Sequence, residues 1–438
     1  MALFLSRSDP ENCTLEYVPA RDTCLLPDEA LKRFTRPSMV KLGQATRLLA
    51  ALGVFVHASH QKCTTDDDCS LNGVCNPQNT CRCDAGWIGD DCGVLDIRPA
   101  KRHGGYNLTD KGTSSWCSSI VKDPSDHGLY HLFASEFTHG CGLDYWAPYS
   151  RVIRAESRSG PAGPYTFAAE VQGTFAHNPT VIYSPADNEW LMYYIGCPTS
   201  VSDACQAKHF TCGPGNTNNG ESGISVMSSR DLRNWEFKGQ IFKGDDGKGW
   251  DADVTNPSAF PLHSKGHCRK RGHADTPSGV LLAYRGCVYN CTKNEQINIA
   301  VSENGYAGPY KKMQQDPIFE NHNEDPFIWR DQRGHYHMLL HSLELEGGFG
   351  DGPKVGRHAW ARKYTGPWTF GSKSLAFSTE VAYEDGTKIN FYRRERPQLF
   401  FSEDGKMTPL FMTTGVQPKD SPMSYTVIVP IGNSGQHT

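Results

Sequence analysis

Glu324-Asp325-Pro326-Phe327-Ile328-Trp329 sets two polar residues and a proline in front of a short apolar run, and three other stretches of the chain do the same. They are His177-Asn178-Pro179-Thr180-Val181-Ile182, Thr255-Asn256-Pro257-Ser258-Ala259-Phe260 and Glu395-Arg396-Pro397-Gln398-Leu399-Phe400. Successive prolines lie 78, 69 and 71 residues apart, too far for a solenoid repeat but suited to a four-stranded blade with generous loops. Proline is tolerated at the first residue of a strand, so each copy reads as a strand start.

Each start is followed by a turn and a second apolar run: Glu189-Trp190-Leu191-Met192, Val280-Leu281-Leu282-Ala283, His335-Tyr336-His337-Met338 and Pro409-Leu410-Phe411-Met412. These read as second strands of hairpins. Turn signals at Gly160 to Tyr165, Ser229 to Trp235, Gly305 to Tyr310 and Tyr364 to Trp368 then separate the outer strands. A degenerate copy, Trp116-Cys117-Ser118-Ser119-Ile120-Val121, precedes Leu129-Tyr130-His131-Leu132-Phe133 and brings the count to five. The expected fold is all-β, a five-bladed β-propeller. Aromatic content of 11% and 43 glycines suit many short strands and turns. A net charge of −4 with no basic stripe excludes a nucleic-acid partner. Gly347-Gly348-Phe349-Gly350-Asp351-Gly352 lacks the lysine and helix of a phosphate loop and reads as a loop. No cofactor and no metal site is expected.

Sixteen cysteines, six of them between Cys63 and Cys92, point to an oxidising compartment. Export is legible from Met39 onward. Lys41 and Arg47 form a positive region, Leu48 to Val56 an apolar core, and Val56-His57-Ala58 a small-residue cleavage site. Residues 39–58 are therefore expected to be a signal peptide, and residues 1–38 an extension or a misplaced start. A buried helix at Ala45 to Val56 is the alternative; the run is too short to span a membrane, so no span is expected in the mature chain. Asn107-Leu108-Thr109 and Asn290-Cys291-Thr292 then read as glycosylation sequons.

Within residues 59–93 the pattern Cys63-x5-Cys69-x5-Cys75-x5-Cys81-x-Cys83-x8-Cys92 closes on Gly86-Trp87-Ile88-Gly89-Asp90-Asp91-Cys92. So short a segment cannot bury a sufficient core, so disulfides must replace one, and spacing alone allows fifteen connectivities. The segment resembles an epidermal growth factor-like domain. The resemblance implies the pairs Cys63–Cys75, Cys69–Cys81 and Cys83–Cys92 and a module that contacts another protein. The acidic calcium motif of some such modules is absent at Ser59-His60-Gln61-Lys62. Four further disulfides are expected among Cys117, Cys141, Cys197, Cys205, Cys212, Cys268, Cys287 and Cys291, with partners that the sequence does not choose.

In a propeller the leading residues of the inner strands converge on the mouth of the central channel. His177, Asn178, Asp251, Asp253, Asn256, Glu324, Asp325, Glu395 and Arg396 are thereby expected around one pocket. Paired carboxylates there suit acid and base work on a glycosidic bond. The alternative is that these side chains only cap strand starts and pair with one another. Residues 94–436 resemble the five-bladed propeller glycosidases, the clan that holds glycoside hydrolase family 43 and, more distantly, the invertases and levansucrases. The matching phrases are Asn256-Pro257-Ser258-Ala259-Phe260, Glu324-Asp325-Pro326-Phe327-Ile328 and Ser229-Arg230-Asp231-Leu232-Arg233-Asn234-Trp235.

The resemblance implies that Glu324 is the general acid. It places the family's third-blade aspartate on Asn256 and the first-blade aspartate base near Cys117, where no carboxylate stands. Asp253 is the expected partner carboxylate, and His177, Asn178, Asn256, Asp325, Arg396 and Trp250 the expected sugar contacts. Adjacent strand residues point to opposite faces, so Glu324 and Asp325 are not both expected to project inward. Two functions are compatible with this set. One is a secreted glycoside hydrolase acting on a pentoside or hexoside of an extracellular or cell-wall glycan. The other is a catalytically inactive carbohydrate-binding propeller with a protein-interaction module in front.

Overall fold

The computed structural model describes residues 62–106, 112–206, 223–244, 249–262, 279–288, 291, 295–343 and 355–432. The extension, the signal-peptide region, Asn107, Asn290, the glycine-rich run at 347–352, Cys212 and Cys268 lie outside the described residues. Among the described residues no helix is long and apolar enough to cross a membrane.

The chain forms a five-bladed propeller. Blades one to four are four-stranded antiparallel sheets whose strands follow in chain order; blade five has three strands. Its outer edge is met by the chain that precedes blade one: Tyr106 bridges Thr426, and Ile97 bridges Ile431. That contact closes the ring. The inner strands are Ser115–Lys122, Ala176–Ser184, Asp253–Leu262, Asn323–Arg330 and Arg393–Phe401.

Blade faces pack on blade faces, so alternate residues of one strand serve two different seams. In the second strand of blade three, Val280, Leu282 and Tyr284 join the apolar cluster shared with blade two. Leu281 and Ala283 join the one shared with blade four. A strand buried on both sides must be apolar at nearly every position, which is why the second strands read as continuous hydrophobic runs.

The repeated prolines do not open their strands. Pro179, Pro257, Pro326 and Pro397 each lie inside the inner strand, at an irregularity in its pairing with the second strand. A bulge leaves residues outside the ladder, so the missing proline N–H costs no ladder hydrogen bond there. Blade one carries the same irregularity between Trp116 and Ser118 without a proline. The residue at each bulge is left-handed: φ is 47° at Cys117, 55° at Asn178, 52° at Asn256, 58° at Asp325 and 59° at Arg396. Such a backbone costs a non-glycine residue about 1–3 kcal/mol. Asn and Asp accept it most readily, because their short side chains can hydrogen-bond locally, and they fill three of the five places.

The disulfide-rich segment holds the bonds Cys63–Cys75, Cys69–Cys81 and Cys83–Cys92. It is docked on the seam between blades four and five. Trp87 packs against Trp329 and His358, with ring centroids 6.3 and 4.9 Å apart. Arg333 donates to the carbonyls of Leu71 and Gly73 and pairs with Asp84. Arg362 reaches Asp67 at 2.6 Å, and Ser374 donates to Asp91 at 3.0 Å. Gly86, with φ of +89°, lies so close to Pro409 that an added Cβ would sit 2.7 Å from its ring. Cys63, Cys69, Trp87, Cys92 and Leu95 share one apolar cluster with Trp329, Phe377, Leu399 and Val429. The segment thus supplies part of a core that neither partner closes alone.

Two further disulfides join Cys141 to Cys205 and Cys287 to Cys291, and Cys197 is also disulfide-bonded. Cys117 is a free, buried thiol, so the eight cysteines of the propeller do not form four bonds. Its place on the inner strand of blade one points it toward the channel, away from any loop that a disulfide would staple.

Candidate active site

The five left-handed residues face one another across the channel. Cys117, Asn178, Asn256, Asp325 and Arg396 line a pocket together with Thr180, Gln398 and the prolines that follow the bulges in blades three to five. A left-handed residue breaks the two-residue alternation of a strand, and Glu324 and Asp325 show the effect. Both approach Asn256, whose Nδ2 donates to Asp325 Oδ1 at 3.0 Å and to Glu324 Oε2 at 3.4 Å. Asp325 lines the pocket and Glu324 does not, yet the bulge brings both carboxylates to the same neighbour.

Arg396 is the cation of the site. Its guanidinium pairs with Asp325, its backbone N–H donates to Asp325 Oδ2 at 3.1 Å, and Nη2 lies 3.8 Å from Glu324 Oε2. With its amide oriented to satisfy both ends, Asn178 accepts from Arg396 Nε at 2.9 Å and donates to His177 Nε2 at 3.1 Å. His177 Nδ1 lies 2.8 Å from Ser150 Oγ, and burial followed by the Arg396 charge holds this imidazole well below its usual range. It is a neutral support for Asn178.

His341, from the second strand of blade four, sits over the carboxylates. Its Nδ1 is 3.1 Å from Glu324 Oε1 and 3.4 Å from Asp325 Oδ2, and its Nε2 is 4.0 Å from Glu395 Oε1. Burial works to raise Glu324, but His341, Arg396 and Arg285 outweigh it and hold this carboxyl well below the usual carboxylate range. The resting Glu324 is ionised. Sequence reading missed His341, although hairpin register places it opposite Glu324 once the bulge is counted.

The remaining candidates lie elsewhere. Asp253 is buried, with its carboxylate within 4.8 Å of the sulfurs of Cys287 and Cys291, and is not among the pocket-lining residues. Asp251 is engaged by Tyr284 and Lys312 at 2.8 and 2.9 Å. Trp250 donates to the Gln315 carbonyl at 2.7 Å and packs within blade three. Trp116 is buried against Gly415, where any Cβ would strike its ring, and Trp329 is buried under the docked segment. In the first blade, Glu136 accepts from Tyr106 and Arg151.

Cys117 occupies the first-blade place of the pocket ring. Gln398 Nε2 donates to its sulfur at 3.2 Å. Burial pushes the thiol up to about 12 against the pull of Arg396 and Gln398, which favours its neutral, weakly nucleophilic form. Iodoacetamide at mildly alkaline pH is expected to spare Cys117 in the folded protein and to alkylate it after denaturation, as read by peptide mass mapping. Rapid labelling of the folded chain at this residue would show an activated thiol instead.

No protein-family model and no curated protein matches the chain. Solved structures do resemble it in fold. A family 117 glycoside hydrolase, Zg3597, from the marine bacterium Zobellia galactanivorans is 13% identical over 78% of this chain and 90% of its own, with a TM-score of 0.49. A thermostable family-43 glycoside hydrolase is 15% identical over 73% and 93%, with a TM-score of 0.45. An endo-arabinase from Bacteroides thetaiotaomicron VPI-5482 is 13% identical over 73% and 94%, also at 0.45. The activities in these names belong to those proteins.

Proposed function

We propose that the propeller is a glycoside hydrolase acting on a pentoside or hexoside of an extracellular glycan, with Glu324 as its acid. The observation that supports this reading is the convergence of Glu324 and Glu395, behind the pocket lining, with His341 and with the pocket residues Asp325 and Arg396. Hydrolysis of a glycosidic bond needs one carboxyl group to protonate the leaving oxygen and a second on the other side of the sugar. Asp325 lines the pocket but meets the same Asn256 and His341 nitrogens as Glu324, so it stands beside the acid, and Asp253, like Glu324, is not part of the pocket lining. Residues 59–93 are read as an epidermal growth factor-like module and residues 94–436 as the glycosidase-like unit. A chain so rich in disulfides fits export through residues 39–58.

A second reading, a carbohydrate-binding propeller without activity, is favoured by Asn256 and the neutral Cys117 at two places of the ring. Removal of general acid or base assistance lowers rates by about 10²–10⁴-fold. Glu324→Gln is therefore expected to lower turnover by at least that factor on a panel of aryl glycosides and plant, algal and fungal polysaccharides. Equal inactivity of wild type and variant, with glycan binding retained in both, would establish the binding protein instead.

A further inference from the structure

Blade four presents a face of large rings to the docked segment. Strand register sets Trp329 opposite His337 and His337 opposite Trp360, and His358, two residues before Trp360, shares that face. His337 and His358 are 0% and 2% exposed. Their ring centroids are 5.3 Å apart, and His337 Nδ1 lies 3.1 Å from His358 Nε2. From the segment, Trp87 covers His358 at 4.9 Å, and Asn72 Nδ2 lies 3.4 Å from both ring nitrogens of His358. The same Asn72 nitrogen donates to the Cys92 carbonyl at 3.4 Å, which turns the NH2 group rather than the amide oxygen toward the ring.

These contacts leave one place for each hydrogen. The Asp331 carboxylate, an acceptor only, stands 3.4 Å from His337 Nε2 and puts a hydrogen on that nitrogen. His337 Nδ1 is then bare and accepts from His358 Nε2, so His358 Nδ1 is bare as well. An added proton has two routes. On His358 Nδ1 it meets, among the described residues, only the Asn72 NH2 group, itself a donor. On His337 Nδ1 it drives the hydrogen of His358 across to Nδ1, where it meets the same group. Either way the charged pair opposes an amide that belongs to the docked segment.

We propose that His337 and His358 form a pH-sensitive latch, which holds the disulfide-rich segment on blade four while both rings are neutral and releases it when the pair takes up a proton. The latch does not depend on any activity of the pocket. Burial lowers His337 against the pull of Asp331, and burial with the His337 neighbour holds His358 well below its usual range. The attraction of the surrounding indole faces for a charged ring is outweighed. A histidine held below its free value of about 6.5 stabilises the docked state above that pH, and the contribution is lost as the pH falls. The charged and titratable groups that face the pair are Asp331, Arg333 and His335 from blade four and Asp84 from the segment. Asp331 is held at about 2 and stays ionised in this range. Burial raises Asp84, so its own titration favours docking in acid and opposes release.

Hydrogen exchange of the full chain tests the latch. The Leu95 N–H donates to the Ala376 carbonyl at 3.0 Å, a bond between the segment and the propeller that reports on docking. Measured against the unprotected rate at each pH, its protection is expected to fall about 30-fold from about pH 7.5 to about pH 5, the effect of one proton taken up by a histidine of ordinary pKa. The second strand of blade two, Glu189–Gly196, is expected to keep its protection. His358→Phe keeps a ring and removes its titration, and Asn72→Asp sets an acceptor on His358 Nδ1; each is expected to abolish the fall. A fall diminished in either variant supports the latch, so the failure of one to fold leaves the other to decide. Unchanged Leu95 protection in the wild type overturns it. An equal fall in blade two, which means acid unfolding of the whole ring, overturns it too, as does an undiminished fall in both variants, which places the acid-sensitive group elsewhere.

Discussion

Replacement of Arg396 by methionine is expected to cost about 3–5 kcal/mol of stability, the usual consequence of removing one partner from a buried ion pair. Asp325, 1% exposed at its side chain, would keep its charge with only Asn256, His341 and a backbone N–H to meet it. The fold itself has little need of the pair. Arg396→Met combined with Asp325→Asn removes both members of the pair and leaves Glu324 with His341 and Arg285, so most of the loss should return. Urea unfolding of the two single variants and the double variant measures this directly. If the double variant is as unstable as the sum of the singles, the two side chains act through separate contacts.

The second large effect lies at the docked segment. Trp87→Ala removes a side chain that is 6% exposed, stacked on Trp329 and tilted against His358. Truncation of a buried aromatic typically costs about 3–5 kcal/mol. Because Trp87 belongs to the same apolar cluster as Leu399 and Val429, the loss should appear as a lower midpoint for the propeller itself. Separate unfolding of the small segment, with the propeller midpoint unmoved, would mean that the two are independent.

The propeller was legible because each inner and second strand is buried on both faces, so its apolar run survives in one dimension. The closing contact of blade five was not, since Tyr106 and Ile97 make isolated bridges rather than a patterned strand. The polar pairs before the prolines did mark residues that meet in the channel. Their backbone did not follow from the sequence, because a left-handed bulge cancels the alternation from which side-chain direction is read. The docking of the disulfide-rich segment depends on Arg333, Trp329 and His358, scattered residues whose common neighbour exists only after folding.

The recurring bulge gives the molecule a socket with five interchangeable positions. Each blade spends its backbone strain in the same place and presents one side chain to the centre, while the seams that hold the ring together are built from other residues. A thiol, two amides, a carboxylate and a guanidinium occupy the five positions here without altering the frame. New chemistry could therefore enter this scaffold by single replacements at Cys117, Asn178 or Asn256, with the blades serving as a fixed mount.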